Sequence, residues 1–362
     1  MAINLALKYS DKVSERFKKS SVTAGVSNQD YDFDGVKSVV VYSVDTAPLG
    51  DYTRSGTLRY GTPAELGDTT QVLTMTQDKA FTYTIDKGNQ KEQFNIKGAA
   101  KSLRRQIDEV VVPTMDKYRL EVWSKNAGNI KATNAPVANT IVSLIMDGTA
   151  TLDNALVPES GRTLFVTASG YKLLKQNPDF LNIDDLGKEA LVKGQVGEID
   201  GMRVIKVPDS YLPEGVRWLI THKSAIMGPA KLLDYKIHKD PPGINGDLVE
   251  GRIIHDAFVL EAKANAVYAA VDGNNKTKTP VITVDTTNSL FNIATNTATA
   301  TIFYTVDGTD PRYNNAPVTY TSDVNYSGFA PGNHTIYAYA SDLDNNIYAS
   351  DLANATFTVA AT

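Results

Sequence analysis

Residues 97–126 read KGAAKSLRRQIDEVVVPTMDKYRLEVWSKN, a longer run of helical pattern than any other in the chain. Ile96 just before it, and Ala100, Leu103, Ile107, Val110, Met115, Tyr118 and Val122 within it, recur mostly three or four residues apart. That spacing predicts a helix with one apolar stripe. The other face is expected to carry Lys101, Arg104, Arg105, Asp108, Glu109, Asp116, Lys117 and Arg119. At 1.5 Å per residue the helix would span roughly 45 Å, more than a small core requires, so it reads as a spine. Pro113 lies inside the pattern, where it removes a backbone donor and collides with the carbonyl four residues back. The stripe stays in phase on both sides of it, so one bent helix is expected rather than two.

Ahead of the spine, residues 2–19 predict a short amphipathic helix, with Ile3 and Leu7, then Val13 and Phe17, paired at i,i+4. Residues 20–34 are polar and read as an extended arm. The run VKSVVVYSV, 36–44, is β-branched and predicts a strand. Residues 45–69 are rich in Gly and Pro, without periodicity, and predict a long loop. VLTMT and AFTYTID then alternate around Thr76–Lys79, the pattern of a two-stranded hairpin. Two strands alone are marginal in water, so this hairpin is expected to lie on another surface, in its own subunit or a neighbour's.

Beyond the spine the pattern is α/β in small pieces. Ile141–Met146 begins a new element, TLFVTAS (163–169) is a strand leading into a helix at Gly170, and MRVIKVP (202–208) is a strand after an Asp200-Gly201 turn. WLITH (218–222) is a further strand, Ser224 is expected to open a short helix, and residues 258–271 read as one bent strand or two, returning to pair near the spine. At Asp272 the composition shifts: residues 272–279 form a polar linker, and short apolar runs separated by Asp-Gly and Pro-Gly turns fill residues 280–362. That tail predicts an independently folded Ig-like β-sandwich.

Composition narrows the chemistry. The 362 residues suffice for two or three domains, and the absence of cysteine excludes disulfides, thiol nucleophiles and cysteine metal sites. A net charge of -5 gives no global basic field, and neither a signal peptide nor an 18-residue apolar segment is evident. No phosphate loop, nucleophile elbow, zinc motif or dinucleotide fingerprint occurs, so neither an enzyme nor a cofactor is expected. The four histidines, at 222, 238, 255 and 334, are dispersed. His255-Asp256 is read as structural, because adjacent residues of an extended segment point to opposite faces. Asp307-Gly308-Thr309-Asp310-Pro311 is read as a turn, because its spacing is not that of a calcium loop.

The order of elements resembles the major capsid protein of tailed phages, the Hong Kong 97 type of α+β fold, over roughly residues 1–271. The likeness is carried by DYTRSGTLRYGTPAELGDTTQVLTMTQDKAFTYTIDKGN and LRRQIDEVVVPTMDKYR, which are similar to capsid proteins of phages of Gram-positive hosts. It implies an N-terminal arm (1–35), an extended loop (45–90), the spine (97–126), a peripheral domain and an axial domain (147–250). It also implies hexamers and pentamers closing an icosahedral shell around double-stranded DNA, a virion location, assembly in the bacterial host cytoplasm without a membrane, and a scaffold protein and portal as partners. Scaffolding is expected from a separate protein, and no motif assigns Lys79 or Lys87 a crosslink. YTVDGTDPRYNNAPVTYTSDV and GNHTIYAYASD resemble the chitobiase C-terminal type of Ig-like module, which implies a surface decoration.

Self-assembly candidates are Arg54, Arg59, Lys79, Phe81 and Tyr83 of the extended loop and Arg104, Arg105, Asp108 and Glu109 of the spine. Two other readings stand beside the shell: a carbohydrate-binding or adhesive surface protein acting through the C-terminal module, and an encapsulin-like bacterial compartment.

Overall fold

The computed structural model describes residues 21–31, 33, 37–44, 46, 47, 49–63, 65–88, 98–178, 197–313 and 317–360. The helix predicted over 2–19, Ile96 and the spine's expected first residue, Lys97, lie outside them.

The spine is continuous. Helix α1 (Ala99–Gln106) runs through one π-helical turn, Ile107–Val111, into α2 (Val112–Lys125). Val112 N–H donates to the Ile107 carbonyl five residues back. The extra residue of this wide turn falls just before Pro113, shifts the carbonyl its ring would meet, and lets the helix pass a residue that has no donor. The irregularity expected at the proline is therefore this π turn.

The buried face differs from the predicted stripe. Asp116, Arg119, Leu120, Trp123 and Ser124 are buried, whereas Met115, Tyr118 and Val122 are only partly so and Val110 is exposed. The same 3.6-residue period, turned by about one residue, places two charged groups in the interior.

Strand β1 (Ser38–Val44) pairs antiparallel with β2 (Asp68–Thr74), and β3 (Gln77–Asp86) belongs to a different sheet. The hairpin predicted around Thr76 is thus corrected: its two runs flank a corner and pair with distant partners. The observed hairpin is β1–β2, with residues 45–67 as its connection. The corner is held because Met75 N–H donates to the Lys37 carbonyl at 3.0 Å and Thr76 is fixed by Asp256.

Strands β4 (Asn129–Thr133), β5 (Arg162–Thr167), β6 (Glu198–Ile199), β7 (Met202–Val207) and β8 (Val216–His222) enter a six-stranded mixed sheet. Helix α3 (Ile141–Asn154) follows β4, and α4 (Ala168–Lys175), capped by Thr167 Oγ1 accepting from Gly170 N–H, follows β5. The Asp200-Gly201 turn between β6 and β7 has both residues at positive φ, as a two-residue hairpin requires. Where a short helix was expected from Ser224, β9 (Ile226–Met227) forms instead, tied by the arm and by β12 (Phe258–Val259).

Strand β10 (Ala230–Lys239) pairs with β11 (Gly246–His255), which pairs with β3. Strand β13 (Val267–Asp272) returns between β4 and β8, so residues 258–271 are two strands, separated by a 3-10 turn. The six-stranded sheet therefore draws on β4 and β13, outside the expected 147–250 segment, while β10 and the start of β11 leave it.

The six-stranded sheet is buried on both faces. Phe165, Leu219, Val267 and Ala269 meet Leu120 and Trp123 of α2; their strand neighbours Leu164, Val166, Trp218, Ile220 and Tyr268 meet Ile141, Ile145 and Leu152 of α3 and Leu174 of α4. This explains why these strands read as near-continuous apolar runs.

The C-terminal part comprises β14 (Val281–Asp285), β15 (Leu290–Ala294), β16 (Thr301–Thr305), β17 (Val318–Thr319), β18 (Val324–Asn325), β19 (Gly332–Ser341) and β20 (Ala353–Val359). They form one sheet of three strands and one of four around Phe291, Ile293, Ile336, Ala338 and Phe357. Asp307 accepts from Thr309 N–H at 3.0 Å and Thr309 Oγ1 at 2.6 Å, which closes the turn. The expected linker is no free tether: Thr277 is buried, and its N–H donates to the Tyr348 carbonyl.

Candidate functional site

Two buried carboxylates hold the part of the molecule that precedes the spine. Asp116, 1% exposed, accepts from Ser21 Oγ at 2.7 Å, Val22 N–H at 2.9 Å and Thr23 Oγ1 at 2.5 Å. Arg119, one turn on, donates to Thr23 Oγ1 at 3.0 Å and to the Gly228 carbonyl at 2.6 Å. Burial pushes the Arg119 guanidinium below its ordinary value, and the Asp116 charge opposes that shift. The arm then passes to β9, where Asn28 N–H donates to the Ile226 carbonyl at 2.7 Å and Trp123 Nε1 donates to the Met227 carbonyl at 3.0 Å. Asp116 and Arg119 thus clamp arm, spine and β9 together.

Asp256 is the second node. It accepts from Thr76 N–H at 2.6 Å, Thr76 Oγ1 at 3.0 Å, Tyr118 OH at 2.9 Å and Ala257 N–H at 2.8 Å. Burial, followed by the bond to Asp256, pushes the Tyr118 phenol up to about 12. His255 lies edge-on to Tyr118 at 5.3 Å between ring centroids, with its Nδ1 buried and unpartnered. His255 and Asp256 thus both meet Tyr118, where side chains on opposite faces were expected.

Burial chiefly, then the Arg119 and Lys79 charges, lowers the His255 pKa, while Asp256 opposes them. The unfolded chain takes up this proton near the ordinary value of about 6.5 and the native state only at lower pH, so this group makes stability fall as pH drops below that value. Thermal melts of the subunit between pH 7 and pH 5 are expected to show the fall, and His255→Asn to reduce it. An equal fall in the variant would place the cause elsewhere.

The β1–β2 hairpin leaves this anchored base. On one face Val39, Val41 and Leu73 pack with Phe33, Met75, Met227 and Leu260. On the other, Val40 opposite Val72, Tyr42 and Val44 face solvent. Toward the tip, Leu49, Tyr52, Leu58, Tyr60 and Leu66 are exposed, Tyr60 at 91%. The tip is nevertheless ordered: Thr53 N–H donates to the Arg59 carbonyl, Arg59 Nε to the Gly56 carbonyl, and the Tyr52 and Tyr60 rings meet edge to face at 5.1 Å. Such apolar side chains on a two-stranded ribbon make the hairpin a candidate interaction surface.

The sequence-predicted assembly residues fall in three places. Arg54 and Arg59 are in the hairpin tip. Lys79, Phe81 and Tyr83 are on β3, not on the hairpin; Phe81 lies over Gly251, where a Cβ would approach its ring to 2.5 Å. Arg104 is exposed on α1, while Arg105 pairs with Glu109 at 3.0 Å and Asp108 is half-buried. Lys79 and Phe81 share a small apolar groove with Val110, Val111 and Met115 at the π turn. Sequence reasoning missed Thr23, Asp116 and Arg119, and the exposed face of β1. The available signal was that VKSVVVYSV carries apolar side chains on both faces, Val39 and Val41 on one and Val40, Tyr42 and Val44 on the other.

No protein-family model matches the chain, and no curated protein matches it. Solved structures do. One from Mycobacterium phage Che8 has a TM-score of 0.62 at 19% identity, covering 74% of this chain and 96% of that one. The capsid of cyanophage P-SCSP1u gives 0.61 at 16%, covering 74% and 93%, and the mature capsid of bacteriophage PhiM1 gives 0.60 at 12%, covering 75% and 93%. The chain has a phage capsid fold. Within that fold the clamp and the Asp256 node fix the arm and the hairpin base to the spine. Among the described residues no group of His, Asp and Glu could hold a metal ion, and no helix is long and apolar enough to cross a membrane.

Proposed function

We propose that this chain is the major capsid protein of a tailed bacteriophage, of the Hong Kong 97 type, and that its work is self-association. The reading is carried by its likeness to capsid structures over nearly their whole length. The hairpin supports it, because its Tyr42, Leu58 and Tyr60 side chains are largely exposed on their own subunit and suit a neighbour's surface. In this reading β1–β2 is the extended loop, residues 21–33 the end of the arm, the β10-β11-β3 sheet with the spine the peripheral part, and the six-stranded sheet the axial part.

Copies would join as hexamers and pentamers into an icosahedral virion shell around double-stranded DNA. Lys101 and Arg104, exposed on α1, would offer non-specific charge to phosphates. A separate scaffold protein and a portal would be partners during assembly in the host cytoplasm, and the host would be Gram-positive. The C-terminal sandwich would be an Ig-like domain at the shell surface. Light scattering of the purified chain, at rising concentration and with scaffold present, tests this. Large particles are expected, and a compact monomer throughout would refute it.

A further inference from the structure

The C-terminal sandwich is seated on the rest of the chain by side chains that neither part would bury alone. Tyr348 is fully buried in the same apolar cluster as Leu120, Trp123 and Val267, and its OH donates to the Glu214 carbonyl at 3.1 Å. Its backbone N–H donates to the Asn275 carbonyl at 2.7 Å, its carbonyl accepts from Thr277 N–H at 2.9 Å, and Asn275 Nδ2 donates to the Asn346 carbonyl at 3.2 Å. The fit is close: Gly215, at φ +81°, packs so that a Cβ would lie 2.6 Å from Asn275.

Charged groups ring this apolar centre. Arg312 donates from Nη1 to the Gly128 carbonyl at 3.0 Å, while its Nε and Nη2 fork onto Asp310. Lys131, on edge strand β4, and Lys276 each take one oxygen of Asp351, at 3.1 and 2.8 Å. Tyr313 and Tyr339 pack against the same cluster. The contacts fall on the end of the spine, the turn before β8, the edge strand β4 and the end of β13.

We propose that the sandwich is a built-in brace of the subunit rather than a tethered decoration: segments 310–313 and 346–351 occupy a seat at the spine's C-terminal end and complete the main core. A flexible module would leave Tyr348 to solvent, whereas here it is covered from within the same chain, and Lys131 of the edge strand is held by Asp351. The capsid structures matched above leave about a quarter of this chain unmatched, a share the size of the sandwich. The brace stands whether or not the chain forms a shell.

Calorimetry and amide hydrogen exchange on the full chain test this. One cooperative transition is expected. Tyr348→Ala should lower its midpoint by about 5 °C or more, given what deleting a buried aromatic side chain removes. It should also speed exchange roughly tenfold or more in residues 128–133 and 267–275 as well as 342–351. If that variant fails to fold, Arg312→Ala, at the rim, should give the same regional pattern with a smaller shift. Two independent transitions, or faster exchange confined to 342–351, would overturn the proposal.

Discussion

Asp116→Ala is expected to lower subunit stability by about 3–5 kcal/mol, the cost of removing one member of a buried charged network. Three donors from the arm, Ser21, Val22 and Thr23, would lose their acceptor, and Arg119 would keep its buried charge with only Thr23 Oγ1 and the Gly228 carbonyl to meet it. Asp116→Asn retains an acceptor oxygen and should cost less. Denaturant unfolding measures the loss, and proteolysis within residues 21–33 reports whether the arm has come away. A loss below about 1 kcal/mol would mean that the β9 contacts, such as Asn28 to Ile226, hold the arm without the clamp.

The second large effect concerns association rather than folding. Leu58→Ser combined with Tyr60→Ser removes two exposed apolar side chains from the hairpin tip, where neither contributes to a core. The subunit gives up only the exposed Tyr52–Tyr60 ring contact, so its unfolding free energy should stay within about 1 kcal/mol of the parent. If the tip lies on a neighbouring copy, each residue acts as an interface anchor worth about 2 kcal/mol, so the pair weakens that association by about a thousandfold. Sedimentation should then find folded, unassembled subunits. Particles at parental yield would show that the tip is not an assembly contact.

These two sites mark where the sequence was and was not legible. The spine's existence and span followed from apolar periodicity, and Pro113 marked the place of the π turn. Its buried face did not follow, because Asp116 and Arg119 look solvated in sequence and their burial is satisfied by partners about a hundred residues away, Ser21, Val22 and Thr23 before the spine and the Gly228 carbonyl after it. Strand runs such as VKSVVVYSV and TLFVTAS were readable from β-branched content. Their partners were not: alternation states that a strand has two faces, but not that Phe81 of β3 pairs with Gly251.

Turn chemistry made the C-terminal β structure legible, through Asp-Gly at 307–308 and the short runs between turns. Its seating was invisible, since Tyr348 reads as one more strand-flanking tyrosine until the fold brings it to Glu214 and Trp123. Of the residues named from sequence, Arg54, Arg59 and Arg104 are exposed charges while Arg105, Asp108 and Glu109 are partly buried, and the apolar tip beside Arg54 and Arg59 was hidden by the lack of pattern in a Gly- and Pro-rich loop.

Electron microscopy of the purified full chain, in negative stain and with scaffold supplied, measures shell formation most directly. Closed particles of uniform size are the predicted result. Compact monomers at every concentration, with the subunit folded, would contradict it.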